Sequence, residues 1–422
     1  MIEILTIGDE LISGKTLDEN AHYIAAALHA QGFIISRITS VGDGIENICR
    51  ALRDRLPDTR FMVITGGLGP TDDDRTAQAA AKAFGTSCVL HPDALSAMER
   101  AYAALGRTMP EAARKQALLP QGSILIPNPV GTACGFCITH DGVEFIFLPG
   151  VPEEVRAMTE GFVINHVRTI SGSPGYVLTK QLTLFGLWES GIKERLTGRL
   201  PDSTIVTVGY YPQFPDVTIS ITGRGLDVDL VRHEVEQYEA VIMQYLGPYV
   251  YATTGERLEE IVGRLLLERT ATLAVAESCT GGLITHRLTN VPGSSAYLER
   301  AYIVYSNRAK HELLAVPEDL IERYGAVSEQ VARSMAIGAR GYARTTYGLA
   351  VTGIAGPSGG NAEKPVGTVF VGIASDKGCE VVRYRFSGSR EKIKIITAHT
   401  ALNALRLLLL TGTIPQHTAT GI

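Results

Sequence analysis

The chain has 422 residues, more than one hydrophobic core ordinarily supports, so two or three domains are expected. Hydrophobic residues make up 45% and charged residues 20%, which excludes extensive disorder, and a formal net charge of −5 gives no general attraction to nucleic acid or anionic lipid. No apolar run reaches the roughly 20 residues that cross a bilayer, the nearest being Leu407 to Leu410, Met1–Ile7 lacks the make-up of a signal peptide, and six scattered cysteines form no disulfide framework; a soluble protein of the reducing cytoplasm, with small-molecule partners, is expected.

The first part alternates strand and helix: a strand at Ile2–Ile7, a helix at Glu19–Ala30, a strand at Ile34–Val41, a helix at Gly44–Leu56 and a strand at Phe61–Thr65. This rhythm predicts a parallel sheet with both faces covered and ligands at its strand ends. Gly8 to Thr16 invites a phosphate-loop reading, but five residues rather than four separate Gly8 from Gly14, and no helix starts at Lys15. The stronger candidate is Gly66-Gly67-Leu68-Gly69-Pro70-Thr71-Asp72-Asp73-Asp74, which follows the third strand and precedes a helix beginning near Arg75. Carboxylates beside glycines suit a divalent cation and a diphosphate, with Glu10 as a fourth ligand. The competing reading makes at least one aspartate a helix cap or first-turn carboxylate facing the helix dipole. Cys134 and Cys137 have metal-ligand spacing, but a closed zinc site needs about four ligands and no second pair accompanies them, so they read as small core residues in a strand.

From about Tyr176 to Tyr251 the rhythm changes to a small α+β module: a strand at Leu182–Phe185, a helix at Glu189–Leu196, a strand at Val217–Thr222 and a helix at Val228–Leu246. A second α/β domain opens with a helix at Arg257–Leu267, and the tail from Gly412 lacks periodicity. In that domain three apolar strands run into polar turns: Glu277-Ser278-Cys279-Thr280-Gly281-Gly282, then Tyr305-Ser306-Asn307 ahead of a helix carrying Lys310, then Thr352-Gly353-Ile354-Ala355-Gly356-Pro357-Ser358-Gly359-Gly360. A parallel sheet gathers such carboxyl ends at one crevice. Ser278, at a tight turn followed by glycines, has the setting of a nucleophile with backbone N–H groups for an oxyanion. Lys310 can act as a general base if burial lowers its pKa from about 10.4, and Tyr305 can relay a proton or orient the pair. Singly, each has a plainer reading: Ser278 as a helix cap, Lys310 as a solvated lysine, Tyr305 as a core aromatic, Arg390 as the cap of a surface helix from Glu391.

The segments Ala276–Gly282, Tyr305–Lys310, Val351–Pro357 and Lys364–Val369 closely resemble the CinA C-terminal domain family, over about Gly255 to Leu410. That family includes nicotinamide-nucleotide amidases, which convert nicotinamide mononucleotide and water to nicotinic acid mononucleotide and ammonia in pyridine nucleotide recycling. The resemblance places the nucleophile on Ser278, the base on Lys310, the assisting hydroxyl on Tyr305 and further catalytic groups on Thr352 and Arg390. Around them Gly281, Gly282, Asn307, Gly353, Gly356, Gly359 and Gly360 are expected to line the substrate, and no metal is needed.

Gly8–Thr16, Asn20, Val41–Asp43, Thr65–Asp74, Asn128–Ala133 and Leu148–Glu154 resemble the molybdopterin-binding-like N-terminal domain of CinA proteins, over about Met1 to Thr169. Within that family the domain is associated with metal-dependent hydrolysis of ADP-ribose, which puts Gly67, Gly69 and Thr71 on the substrate and Asp72, Asp73, Asp74 and Glu10 on a magnesium, manganese or cobalt ion. The resemblance as a whole implies an α/β fold with a molybdopterin-binding-like domain over 1–170, a small KH-like α+β module over 171–252, an amidase domain over 253–412 and a flexible tail over 413–422, in a cytoplasmic homodimer. Departures from the family pattern fall at Phe185–Ser190, at Gly209–Pro212 in place of the usual turn, and at Cys134 where proline is common. The rival readings are a non-catalytic nucleotide- or pterin-binding adaptor in competence or DNA-damage responses, and RNA binding by the middle module, which lacks the Gly-x-x-Gly clamp.

Overall fold

The computed structural model describes residues 1–172 and 175–414. By contacts the chain divides into two compact units, Met1–Val177 with Arg224–Val228, and Leu178–Gly223 with Asp229–Ile422. Most of the middle module thus belongs to the same compact unit as the C-terminal domain.

In the first unit β1 (Ile2–Ile7), β2 (Ile35–Val41), β3 (Phe61–Thr65), β6 (Ile124–Ile126), β7 (Gly135–His140) and β8 (Val143–Leu148) form a sheet of order β2-β1-β3-β8-β7-β6, while β4 (Cys88–Leu90) and β5 (Leu118–Pro120) pair apart from it. The sheet is mixed, not parallel throughout as expected: β7 runs antiparallel to β8 and to β6. The cause is local, since Asp141 (φ 50°) and Gly142 (φ 74°) are both left-handed and turn the chain back in two residues. Strand alternation divides the core. Leu5, Ile7, Met62, Ile64, Phe136, Phe145 and Phe147 face one layer of helices, whereas Ile2, Ile4, Phe61, Val63, Cys137, Ile146 and Leu148 face the other.

In the second unit the small sheet has the order β10-β11-β9-β12, from β9 (Tyr176–Leu184), β10 (Val206–Gln213), β11 (Asp216–Gly225) and β12 (Val250–Ala252). The stretch Gly209–Pro212, which departs from the family's usual turn, lies within β10 and pairs with Val217–Ser220. Pro212 is tolerated there because β10 is an edge strand. The C-terminal sheet, β13 (Leu273–Glu277), β14 (Leu298–Ile303), β15 (Tyr347–Gly353), β16 (Thr368–Ser375) and β17 (Gly378–Arg385), has the order β14-β13-β15-β16-β17. The strands β13, β14 and β15 are parallel and their carboxyl ends share one edge, while β16 and β17 are antiparallel.

One face of this sheet offers Ala274, Ala276, Ala350 and Ala374 to the helix Glu329–Ala343. That helix approaches so closely that a Cβ on Gly348 would stand 2.2 Å from the Ala336 carbonyl oxygen. The other face offers Leu273, Val275, Leu349 and Val371 to the helices Leu258–Glu268 and Arg390–Thr411. Arg390–Thr411 is long and apolar enough to cross a membrane, but 72% of its apolar window is buried in this unit, which makes it a core helix. Of the tail expected over 413–422, Ile414 is buried and its N–H donates to Glu380 Oε2 at 3.1 Å; residues 415–422 lie outside the described residues.

Candidate active site

β13 ends at Glu277, and the Ser278 N–H prolongs the ladder by donating to the Val351 carbonyl at 3.1 Å. Gly281 (φ 62°) and Gly282 (φ 98°) then take left-handed conformations that turn the chain into the helix Leu283–Thr289. Fully buried Glu277 holds this turn. Its carboxylate accepts from the N–H groups of Gly282 (2.9 Å), Ile284 (3.1 Å) and Thr285 (2.8 Å) and from the Thr285 hydroxyl (2.7 Å). Ser278 is therefore no helix cap; the neighbouring carboxylate satisfies the helix N-terminus and leaves the hydroxyl free for the cavity.

β14 leads through Val304 and Tyr305 to the helix Asn307–Leu314, capped by the Ser306 hydroxyl, which accepts from the Ala309 N–H at 3.0 Å. Lys310 on this helix turns inward and is 1% exposed. Its Nζ lies 3.2 Å from Ser278 Oγ, 2.9 Å from the Val304 carbonyl and 3.1 Å from the Tyr305 carbonyl. Burial without a carboxylate partner pulls its pKa down to about 8. A neutral amine has two N–H groups and one lone pair: the two carbonyls take the N–H groups, and the lone pair is left for the serine proton. Cys279, next to the serine and also at the cavity, is no competing nucleophile, because burial pushes its thiol up to about 12.

Thr352, at the end of β15, is buried and donates to the Ala326 carbonyl at 2.8 Å. Arg390 opens the long core helix behind the Ser389 cap and donates to the Gly356 carbonyl at 2.7 Å and to the Tyr305 hydroxyl at 3.1 Å. It is not the cap of a surface helix. Tyr305 is 62% exposed, so it is no core aromatic; its hydroxyl is held by Arg390, and its backbone carbonyl rather than its ring touches Lys310. Ser278, Lys310, Tyr305, Thr352 and Arg390 thus line one cavity of 230 Å³, together with Gly353 and the unforeseen Cys279, Ala326, Val327 and Ala355.

Other expected substrate groups are not at the cavity wall. The Gly281 and Gly282 N–H groups are spent on the Ser278 carbonyl and on Glu277, so they do not form the anticipated oxyanion site. Asn307, Gly359 and Gly360 are exposed, and Gly356 contributes only its carbonyl to Arg390. A residue that was missed is Lys394, one turn beyond Arg390, whose Nζ would lie 3.9 Å from a Cβ on Gly281. The i, i+4 spacing of two cations on the helix Arg390–Thr411 was its visible signal.

In the first unit Gly67, Gly69, Asp72 and Asp74 line a cleft of 420 Å³ with Arg75, Lys115 and Gln116. Asp74 accepts from both the N–H (2.8 Å) and the hydroxyl (2.5 Å) of Thr71, an internal bracing of the loop. Asp73 is likewise held by the Thr71 hydroxyl beside Lys115 and Arg75, and it is also within electrostatic reach of Asp43, which feels Asp9 and Glu10; burial first, then these like charges, raise the Asp43 pKa. Glu10 folds over Gly8 in the first turn of the helix Asp9–Ile12. The expected set Glu10, Asp72, Asp73 and Asp74 is therefore strung along the loop and not gathered at one point. Among the described residues only Cys137, Glu144 and His166 bring three ligand atoms within 4.8 Å of one another, so this arrangement of the four carboxylates does not fit a single ion. Cys134 and Cys137 face opposite sides of the sheet and do not act as a pair.

The fold and these sites define a protein of two α/β units, one with a glycine-rich acidic loop and one with a buried serine–lysine pair. Three family models match it in succession: "Probable molybdopterin binding domain" over residues 3–169, "Damage-inducible protein CinA KH domain" over 179–252 and "CinA C-terminal domain" over 255–409. The chain is 42% identical over 409 residues to a CinA-like protein of Geotalea uraniireducens, covering 97% of both chains. It is 44% identical over 407 residues to one of Geobacter metallireducens, covering 96% of this chain and 98% of that one. A third, of Geobacter sulfurreducens, is 43% identical over 411 residues, with 97% and 100% covered. The chain belongs to the CinA family.

Proposed function

We propose that the C-terminal cavity hydrolyses the carboxamide of nicotinamide mononucleotide to nicotinic acid mononucleotide and ammonia. The observation that carries this reading is the buried Lys310 amine, 3.2 Å from the Ser278 hydroxyl and with no carboxylate to keep it charged. Ser278 Oγ attacks the carboxamide carbon while its proton passes to Lys310 Nζ. The lysine returns that proton to the departing nitrogen, ammonia leaves, and an ester of Ser278 remains. Water then attacks the ester with Lys310 again accepting a proton, which releases the acid and restores the hydroxyl. At 230 Å³ the cavity is below the usual size of a whole-ligand pocket. It suits the pyridine carboxamide alone, with the ribose phosphate at the mouth, where Arg390 supplies positive charge.

The test is ammonia release from nicotinamide mononucleotide by the wild type, Ser278→Ala and Lys310→Ala. Activity confined to the wild type supports the proposal; an inactive wild type refutes it in favour of a binding-only adaptor, and full rate in Ser278→Ala refutes the serine mechanism. In the first unit, the glycines beside Arg75 and Lys115 favour a diphosphate ligand, for which ADP-ribose is the reading. No hydrolytic step is derived through a metal there, because the carboxylates are not gathered. Product analysis with ADP-ribose, with and without magnesium, manganese or cobalt, decides whether this cleft turns its ligand over or only binds it.

A further inference from the structure

A separate cluster lies on the sheet face opposite the glycine-rich loop's helix. β7 and β8 pair so that Cys137, Thr139, Glu144 and Ile146 project to the same side, where the helix Ile164–Ser171 brings His166 down on them. The three donor atoms form a nearly closed triangle. Cys137 Sγ to Glu144 Oε2 is 3.2 Å, His166 Nε2 to Glu144 Oε2 is 3.1 Å, and Cys137 Sγ to His166 Nε2 is 3.7 Å. With zinc–donor distances of about 2.0 Å to nitrogen or oxygen and 2.3 Å to sulfur, the nitrogen–oxygen edge of a coordination tetrahedron is about 3.3 Å and the edges to one sulfur are about 3.5 Å. The observed triangle is one face of such a tetrahedron to within about 0.3 Å.

The surroundings hold those donors in place. Thr139 Oγ1 donates to Glu144 Oε1, so Oε2 is the oxygen turned inward. The Phe162 ring stacks on His166 at 4.9 Å and 18°, fixing the imidazole plane. Cys137 is buried, while the Glu144 and His166 side chains keep 14% and 21% of their surface, which leaves an entry path and room for a water as fourth ligand. One sulfur, one nitrogen and one oxygen donor disfavour magnesium and calcium, which prefer oxygen alone.

We propose that Cys137, Glu144 and His166 form a binding site for a single zinc-class divalent ion, which clips the helix Ile164–Ser171 to the β7–β8 hairpin. Because a thiolate is the form that ligates, binding releases the Cys137 proton to solvent, and the ion takes Nε2 of an imidazole whose proton sits on Nδ1. This site is independent of the amide chemistry proposed above.

The test uses the full chain, stripped with a chelator and titrated with cobalt(II) as the spectroscopic stand-in for zinc. One equivalent should give a tetrahedral visible spectrum and a near-ultraviolet thiolate-to-cobalt band. That band should be absent in Cys137→Ser, and competition against a chromophoric chelator should show zinc bound at least 10-fold more weakly by His166→Gln. The oxygen-only carboxylates of the glycine-rich loop cannot give a thiolate band, and its loss in Cys137→Ser separates this site from the other free cysteines. Should Cys137→Ser fail to fold, Glu144→Gln and His166→Gln, at partly exposed positions, carry the same test. A wild type without the thiolate band, a band retained in Cys137→Ser, or equal zinc affinity in His166→Gln overturns the proposal.

Discussion

The serine–lysine cavity and the glycine-rich acidic loop place charged groups at strand ends in opposite ways. In the C-terminal cavity one amine is buried beside one hydroxyl and neutral carbonyls, so its charge is expensive and its basicity is turned toward Ser278. At the loop the carboxylates are spread over Asp9, Glu10, Asp43 and Asp73, where most of them face water. Desolvation dominates the first arrangement and solvent screening the second. Large mutational effects are therefore expected at the cavity and small ones at the loop.

The largest effect is expected from Ser278→Ala. Under the proposed function, removing this hydroxyl should lower ammonia release by about 10³-fold or more, equivalent to roughly 4 kcal/mol in the barrier. Circular dichroism and thermal melting should stay near wild type, because the turn is held by Glu277 and the two glycines. A comparable loss of stability would mean that the hydroxyl is structural and that the contrast between the two regions was misjudged.

Lys310→Met comes next and has two readouts with opposite signs. Its rate should fall by about 10²–10⁴-fold as the base is lost. Its stability at pH 7 should rise, by at most about 3 kcal/mol, since a lysine with a folded pKa near 8 and an unfolded value near 10.4 opposes folding when both states are protonated. The sign follows from proton counts: between about pH 8 and 10.4 the unfolded chain holds more protons, so wild-type stability gains with rising pH and the advantage of the variant shrinks. Wild-type turnover should climb with pH around a midpoint near 8, as the neutral amine becomes populated. Chemical denaturation at pH 7 and pH 10, together with a pH–rate profile, checks all of this; a variant less stable than wild type at pH 7 would break the desolvation argument.

Much of the cavity was legible in the sequence because three apolar strands each ended in a polar turn, and parallel neighbours must deliver such ends to one edge. Ser278, Lys310 and Thr352 meet for that reason, whereas Arg390, which opens the helix after β17, was placed by the family resemblance. Their exact partners were not legible. That Glu277 consumes the N–H groups of Gly282 and Ile284 depends on a carboxylate doubling back over its own turn, and Ala326 and Val327 come to the cavity from a segment outside the three strand ends, where Thr352 bonds the Ala326 carbonyl. The mixed sheet was legible in principle from Asp141-Gly142, but the surrounding βαβ rhythm pointed to parallel strands. That the three consecutive aspartates do not converge on one point could not be read, since neighbouring loop residues share no fixed face. Edge position, which makes Pro212 acceptable in β10, is likewise a property of the assembled sheet.

Glu277→Gln is expected to show an intermediate effect. The buried carboxylate accepts four hydrogen bonds, and an amide nitrogen in place of one oxygen would face donors it cannot accept. A loss of about 2 kcal/mol is expected in denaturant unfolding, with a lower turnover number as the Ser278 turn relaxes. Unchanged stability would show that the helix N-terminus does not need the anion.

The smallest effect tests the loop. Asp43 is pushed toward a higher pKa by partial burial and then by Asp9, Glu10 and Asp73, while its Oδ2 accepts from the Asp9 N–H at 3.0 Å. An acid with a raised folded pKa contributes stability that is present at low pH and is lost as pH rises through that value. Asp43→Asn keeps an acceptor for the Asp9 N–H and removes the repulsion, so it should stabilise the chain at pH 7 by less than about 1 kcal/mol, and the difference should fade below pH 4. Thermal melting at pH 7 and pH 4 measures it. If Asp43→Asn instead destabilises the protein at pH 7, and added divalent metal stabilises only the wild type, the repelling carboxylates are poised to gather around an ion. The loop would then resemble the cavity more closely than its present geometry suggests.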